Sequence, residues 1–168
     1  GTHDTARALT VLGSRPELWN ADKNTQAYTV LVGDARERAK RRLKMAAVIQ
    51  FCMPGSPTIY YGDEAGMQGY GDPLNRRTFP WGHEDEELLY FYRTLCAERD
   101  QSEVLREGEL QFLTAEAGHL VFARTLGGRQ MIVAVNRDDQ EYHFRLPQVY
   151  AVDVLTGNPY WEELGKGA

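Results

Sequence analysis

The sequence has no run of 18 or more apolar residues, so nothing in it is expected to cross a membrane as a helix. Cysteine is scarce. Cys52 and Cys96 are the only two, each among apolar neighbours in a stretch that reads as helix, where a free thiol behaves as a small buried hydrophobe. No disulfide framework is in use, which favours a reducing, cytoplasmic compartment. Positive charge is in deficit: 19 Lys and Arg stand against 24 Asp and Glu, for a formal charge of −5. Affinity for a phosphate backbone comes from neutralising phosphates with Lys and Arg, so nucleic acid is not an expected partner. Of the four histidines, His83, His119 and His143 lack metal-ligand spacing, and no metal or cofactor is expected. An initiator Met is missing too. Gly1 stands first and no targeting segment follows, as expected of an internal or processed piece.

What is present is a globular composition, 42% hydrophobic and 26% charged over 168 residues. That length suits one domain with a smaller neighbour, at about 150 residues per domain. The pattern splits accordingly. Residues 1–99 mix loop, helix and short strand, and residues 100–168 read as β.

In the first region a polar turn, Gly1 to Thr5, leads into an ambiguous apolar stretch, Ala6 to Leu12, broken by Gly13, Ser14 and Pro16. From Asp34, which can act as N-cap, Ala39, Leu43, Ala46, Ala47, Ile49, Gln50 and Met53 recur at helical spacing until Pro54 and Gly55 stop the helix. Its last turns, Met45 to Met53, are apolar nearly all round, which predicts deep burial. Thr58 to Tyr61, β-branched and aromatic, reads as a short buried strand ending at Gly62. Residues 65–82 carry Gly66, Gly69, Gly71 and Gly82 with Pro73 and Pro80, and form a loop long enough to suggest function. Glu84 to Arg99 is an amphipathic helix with an acidic first turn and an apolar stripe through Leu88, Phe91, Tyr92, Leu95 and Cys96.

From Glu107 the period changes to two. Leu110 and Phe112, then Tyr142, Phe144 and Leu146, then Tyr150, Val152 and Val154 alternate with polar residues. Turn signals lie at Ala117-Gly118, Gly127-Gly128, Asp138-Asp139 and Gly157-Asn158-Pro159. About five antiparallel strands are expected, with a core thin enough to lean on the preceding helix.

Polar chemistry gathers at His3-Asp4, at Tyr60-Tyr61-Gly62-Asp63-Glu64, and at Asp72-Pro73-Leu74-Asn75-Arg76-Arg77-Thr78-Phe79-Pro80-Trp81. In that order, His-Asp-Thr, Pro-Gly-Ser-Pro-Thr-Ile-Tyr-Tyr-Gly-Asp-Glu and Asp-Pro-Leu-Asn-Arg-Arg-Thr-Phe-Pro-Trp resemble the C-terminal part of the α-amylase family of glycoside hydrolases. The nearest likeness is to neopullulanases and cyclomaltodextrinases. Thr2 departs from it, standing where the family often has Ser or Asn.

The resemblance implies a mixed α and β fold: the last two βα units of a (β/α)₈ barrel over 1–99, then a small antiparallel β-sandwich domain over 100–168. Gly165 to Ala168 end the chain where a closing strand is expected. It implies an α-glucan or maltooligosaccharide substrate. It assigns Asp4 as the carboxylate that grips sugar hydroxyls and stabilises the transition state, with His3 beside it. The nucleophile and the acid/base lie on earlier strands of the family and have no counterpart here, so the chain is expected to be inactive alone. Asp72 and Arg76 match an outer sugar-binding pair, although their spacing equally suits an intraloop ion pair. Tyr70 and Trp81 are expected as exposed sugar contacts, whereas Tyr60 and Tyr61 belong to the core. Asp63 and Glu64, adjacent on a strand, diverge and read as structural. The basic run Arg36 to Arg42 is a solvated helix face.

Two other readings fit the same residues: a non-catalytic glucan-binding or association module, and a purely structural one. The apolar helix end and the unpaired Thr58–Tyr61 edge predict self-association as a dimer or higher species.

Overall fold

The computed structural model describes residues 1–144 and 150–161, the strand residues 150, 151 and 159–161 by their backbone alone. Helix α1 spans Ala8–Gly13, a 3₁₀ turn Pro16–Asn20, α2 Lys23–Tyr28, α3 Gly33–Cys52, α4 Glu86–Gln101 and α5 Glu103–Glu107. Strands β1 (Glu109–Glu116), β2 (His119–Leu126) and β3 (Arg129–Asn136) form an antiparallel meander, and β4 (Tyr150–Val152) pairs with β5 (Pro159–Trp161) as a separate two-stranded ladder. Among the described residues the antiparallel strands thus number five and divide three plus two between separate ladders. Residues 142–144 take no strand conformation, and Arg145, Leu146 and Gly165 to Ala168 lie outside the described residues.

Helix α3 buries Ala39, Leu43, Ala47 and Phe51, a stripe at i, i+4 spacing. Its first half packs on Leu9 of α1 and Leu88 of α4, its second on Tyr92 and Leu95 of α4. Three expectations are corrected here. Val32, not Asp34, is the N-cap and gives no side-chain bond; Asp34 lies inside the first turn, where the macrodipole still favours it. Ala46 and Gln50 are exposed, because α3 borders an open groove of about 240 Å³ lined also by Ala8, Ile59 and Tyr92. Thr58 to Tyr60 run without a ladder: a strand is defined by its neighbour, and among the described residues the only bond to this stretch from α3 is Gln50 Nε2 to the Thr58 carbonyl, at 2.8 Å.

The meander leans on the helices, since Phe122 and Val133 share a core with Cys52 at the end of α3 and Leu105 of α5. Its β2–β3 turn is Gly127-Gly128, with φ of +56° and +80°, the geometry that a two-residue hairpin needs at both centres. Two buried arginines lock the joint. Arg124 donates to the carbonyls of Cys52 (2.7 Å) and Gly108 (2.7 Å), and Arg99 to those of Phe51, Met53 and Gly55. They satisfy the last carbonyls of α3, at the negative end of its dipole. Burial between them pushes the Cys52 thiol up to about 11, consistent with an inert core cysteine.

Candidate functional site

The opening turn is held by its own threonines. Thr2 accepts from the Thr5 amide through its carbonyl (3.3 Å) and from the Asp4 amide through Oγ1 (3.2 Å). This local bonding is what Ser and Thr offer a chain in place of helix or strand. It leaves the His3 and Asp4 side chains 68% and 72% exposed, with Nε2 and Oδ2 only 3.2 Å apart.

The loop after Gly69 comes to meet this turn. A short 3₁₀ turn, Leu74–Arg76, points Arg76 outward, and Arg76 lies 3.0 Å from Asp72 Oδ1 and 3.8 Å from Asp4 Oδ1. Arg76 Nε also donates to the His3 carbonyl at 3.0 Å. The result is one exposed row, Asp72, Arg76, Asp4, His3, assembled from segments about seventy residues apart in sequence. It offers carboxylate acceptors flanking a guanidinium donor, a pattern that suits a vicinal diol. The intraloop ion pair and the proximity to Asp4 exist together.

Beneath the row lies Arg7, 1% exposed. Its Nε donates to the Asn75 carbonyl (2.7 Å), its Nη1 to the Tyr61 carbonyl and toward Asp63 Oδ1 (3.4 Å). The guanidinium sits 4.3 Å and 4.5 Å from the ring centres of Tyr60 and Tyr61, within cation–π range of both. Burial raises the Asp63 carboxyl above its usual range, opposed by the positive charges of the Gly1 amino group, 3.5 Å away, and of Arg7. Gly62, at φ +85°, makes the turn that carries Asp63 inward; a Cβ there would stand 2.1 Å from Met67 Sδ.

Other sequence expectations need correction. Tyr70 is 2% exposed and unavailable to a sugar: its ring meets Trp19 edge-on at 5.2 Å and its hydroxyl is 2.6 Å from Ser14 Oγ. Tyr61, expected in the core, is 41% exposed, and its hydroxyl donates to the Arg77 carbonyl at 2.8 Å. Asp63 and Glu64 sit in a turn, not a strand; Asp63 is buried beside Arg7, and Glu64 Oε2 is buried without a partner. Trp81 is 80% exposed and packs on Phe79 at 4.5 Å, but no described contact joins it to the His3–Asp4 turn. Arg7 and Asn75 were not singled out by sequence as site residues: Arg7 stands just after the His-Asp-Thr motif and Asn75 inside the Asp72–Trp81 motif, and a polar residue in or beside a motif is too common a signal to select on.

Among the described residues no group of three His, Cys, Asp or Glu side chains is placed to hold a metal ion.

The sequence profile of the α-amylase catalytic domain matches residues 1–80. An amylopullulanase of Thermoanaerobacter thermohydrosulfuricus is 37% identical, over 99% of this chain and 12% of its own length. A cyclomaltodextrinase of Geobacillus thermopakistaniensis is 34% identical, over 97% of this chain and 25% of its own. The solved structure of a debranching enzyme from Nostoc punctiforme superposes with a TM-score of 0.60 at 30% identity, covering 80% of this chain and 23% of that one. The chain therefore spans an eighth to a quarter of the length of the relatives that it matches.

Proposed function

Since the chain belongs to the α-amylase family of glycoside hydrolases, we propose that it contributes one wall of an α-glucan subsite to a retaining hydrolase and carries none of the bond-breaking pair. The observation that supports this is the exposed row in which Arg76 approaches both Asp72 and Asp4.

Retaining cleavage needs an acid/base carboxyl and a nucleophilic carboxylate about 5–5.5 Å apart, with further groups that grip sugar hydroxyls as the oxocarbenium ion develops. Asp4 takes the gripping role: its carboxylate accepts from hydroxyls whose acidity rises as positive charge builds on the ring, so the contact strengthens at the transition state and lowers the barrier. His3 donates or accepts beside it, and Asp72 and Arg76 bind hydroxyls of the adjoining sugar. The exposed indole of Trp81 offers a face for stacking further out. Neither Asp63 nor Glu64 serves as nucleophile or acid: one is buried against Arg7 and the other is turned inward. On this reading residues 1–99 are barrel and residues 100–168 an accompanying β domain.

The pure chain incubated with maltotriose or pullulan should release no reducing sugar. Release that disappears in Asp4→Asn would overturn the assignment, because cleavage would then need only residues present here.

A further inference from the structure

Asn75 is 0% exposed, yet its side chain serves no core. Its Nδ2 donates to the His3 carbonyl at 2.7 Å and to the Thr5 carbonyl at 2.8 Å, the two main-chain acceptors on either side of Asp4. Two carbonyls facing one end of the amide fix its orientation, since Oδ1 in that place would meet only acceptors. Oδ1 itself is buried and has no partner. An apolar residue of the same shape would avoid that cost, so the amide is explained by its two donors and not by packing. From behind, Arg7 Nε holds the Asn75 carbonyl at 2.7 Å, and from the side Arg76 Nε adds a second donor to the His3 carbonyl. The Thr2–Thr5 bonds close the turn on itself but give it no fixed place on the body of the protein. Arg76 ties one flank of Asp4 to the body; among the described residues Asn75 alone ties both.

We infer that Asn75 is a positioning residue for Asp4: it pins the turn on both flanks and so sets the carboxylate against the Asp72–Arg76 loop. The consequence for sugar binding rests on the reading of Asp4 given above; the positioning itself does not.

Two measurements on the full chain separate these. Backbone ¹⁵N relaxation reports the order of the Asp4 amide directly. In Asn75→Leu its order parameter should fall from about 0.85 to below about 0.6 while β2 and β3 amides stay unchanged. An Asp4 amide as rigid in the variant as in the parent, or a uniform loosening of every amide, would overturn the inference. Should Asn75→Leu fail to fold, Asn75→Ser, too short to span both carbonyls, gives the same comparison. Maltotriose titration supplies the functional arm. Asn75→Leu should weaken binding about tenfold in the parent and add nothing in an Asp4→Asn background, as residues acting as a unit do. Fully additive losses would place Asn75 outside the route to Asp4. If the parent binds no maltotriose while the relaxation result holds, the subsite reading falls and the positioning role stands.

Discussion

Arg7 carries more of the site than any residue that faces solvent. Its guanidinium is clasped between two tyrosine rings, a carboxylate and two carbonyls, and removing it would strip the buried Asp63 of one of its two neighbouring positive charges, leaving only the Gly1 amino group at 3.5 Å. Breaking a buried pair from one side costs about 3–5 kcal/mol, because the abandoned charge keeps its desolvation penalty. Arg7→Met should therefore lower the melting temperature by about 6–20 °C, at roughly 2–4 °C per kcal/mol for a chain of this size. A change within error would mean that Tyr60, Tyr61 and Asp63 keep their places without Arg7. Differential scanning calorimetry decides between them. Sequence pointed to the exposed residues, because Asp72 and Arg76 lie in a long motif that follows His3 and Asp4 in a fixed order. It did not show the buried half: the bond from Arg7 to Asn75 spans 68 residues, and no local pattern announces it.

At the scale of elements, α3 and α4 are joined by an ionic clamp. Lys40 is buried on α3 and bonds Glu87 and Asp85, Lys44 bonds Glu87, and Arg36 bonds Asp85 at 2.8 Å. Asp85 also caps α4 through the Leu88 amide at 3.1 Å. Hydrogen bonds from Lys40 and Lys44 hold the Glu87 carboxyl down at about 2 against a usual 4.5. Because the unfolded chain takes up that proton more readily, the contribution of Glu87 is complete above about pH 4.5 and is lost as the pH falls toward 2. Asp63 acts in the opposite sense: burial raises its carboxyl, so its ionisation costs stability. Glu87→Gln removes the first effect and leaves the second. Its melting temperature should lie below that of the parent at pH 7 and converge on it in strong acid; since Glu87 is more than half exposed, the gap should be of the order of 1 kcal/mol or less. A gap that stays constant from pH 7 to pH 2 would exclude the ionic clamp as its cause. The helix itself was legible, its Leu88, Tyr92 and Leu95 stripe being periodic, and so was the Gly127-Gly128 turn. Neither the Lys40 contacts nor the absence of a ladder at Thr58 to Tyr60 was legible, for both depend on what lies opposite.

Across the whole molecule, helices and meander form one continuous body, with Cys52, Leu105, Phe122 and Val133 as a shared core and Arg99 and Arg124 binding the end of α3 to its neighbours. That body presents two segments, the opening turn and the Asp72–Arg76 loop, on a common exposed surface. The division of roles follows from burial. Tyr70 looked like a sugar contact because it sits in a glycine-rich loop, but that loop folds inward and the tyrosine is spent on Ser14 and Trp19. Trp81, in the same long stretch, remains open to solvent.

The most direct test of a single glucan-binding surface is a maltotriose titration of ¹⁵N-labelled chain followed by amide chemical shifts. The account predicts that His3 to Thr5 and Gly71 to Arg77 shift together along one saturable curve, and that both sets lose their response in Arg76→Ala. Shifts confined to one segment, or two segments saturating at different concentrations, would contradict it.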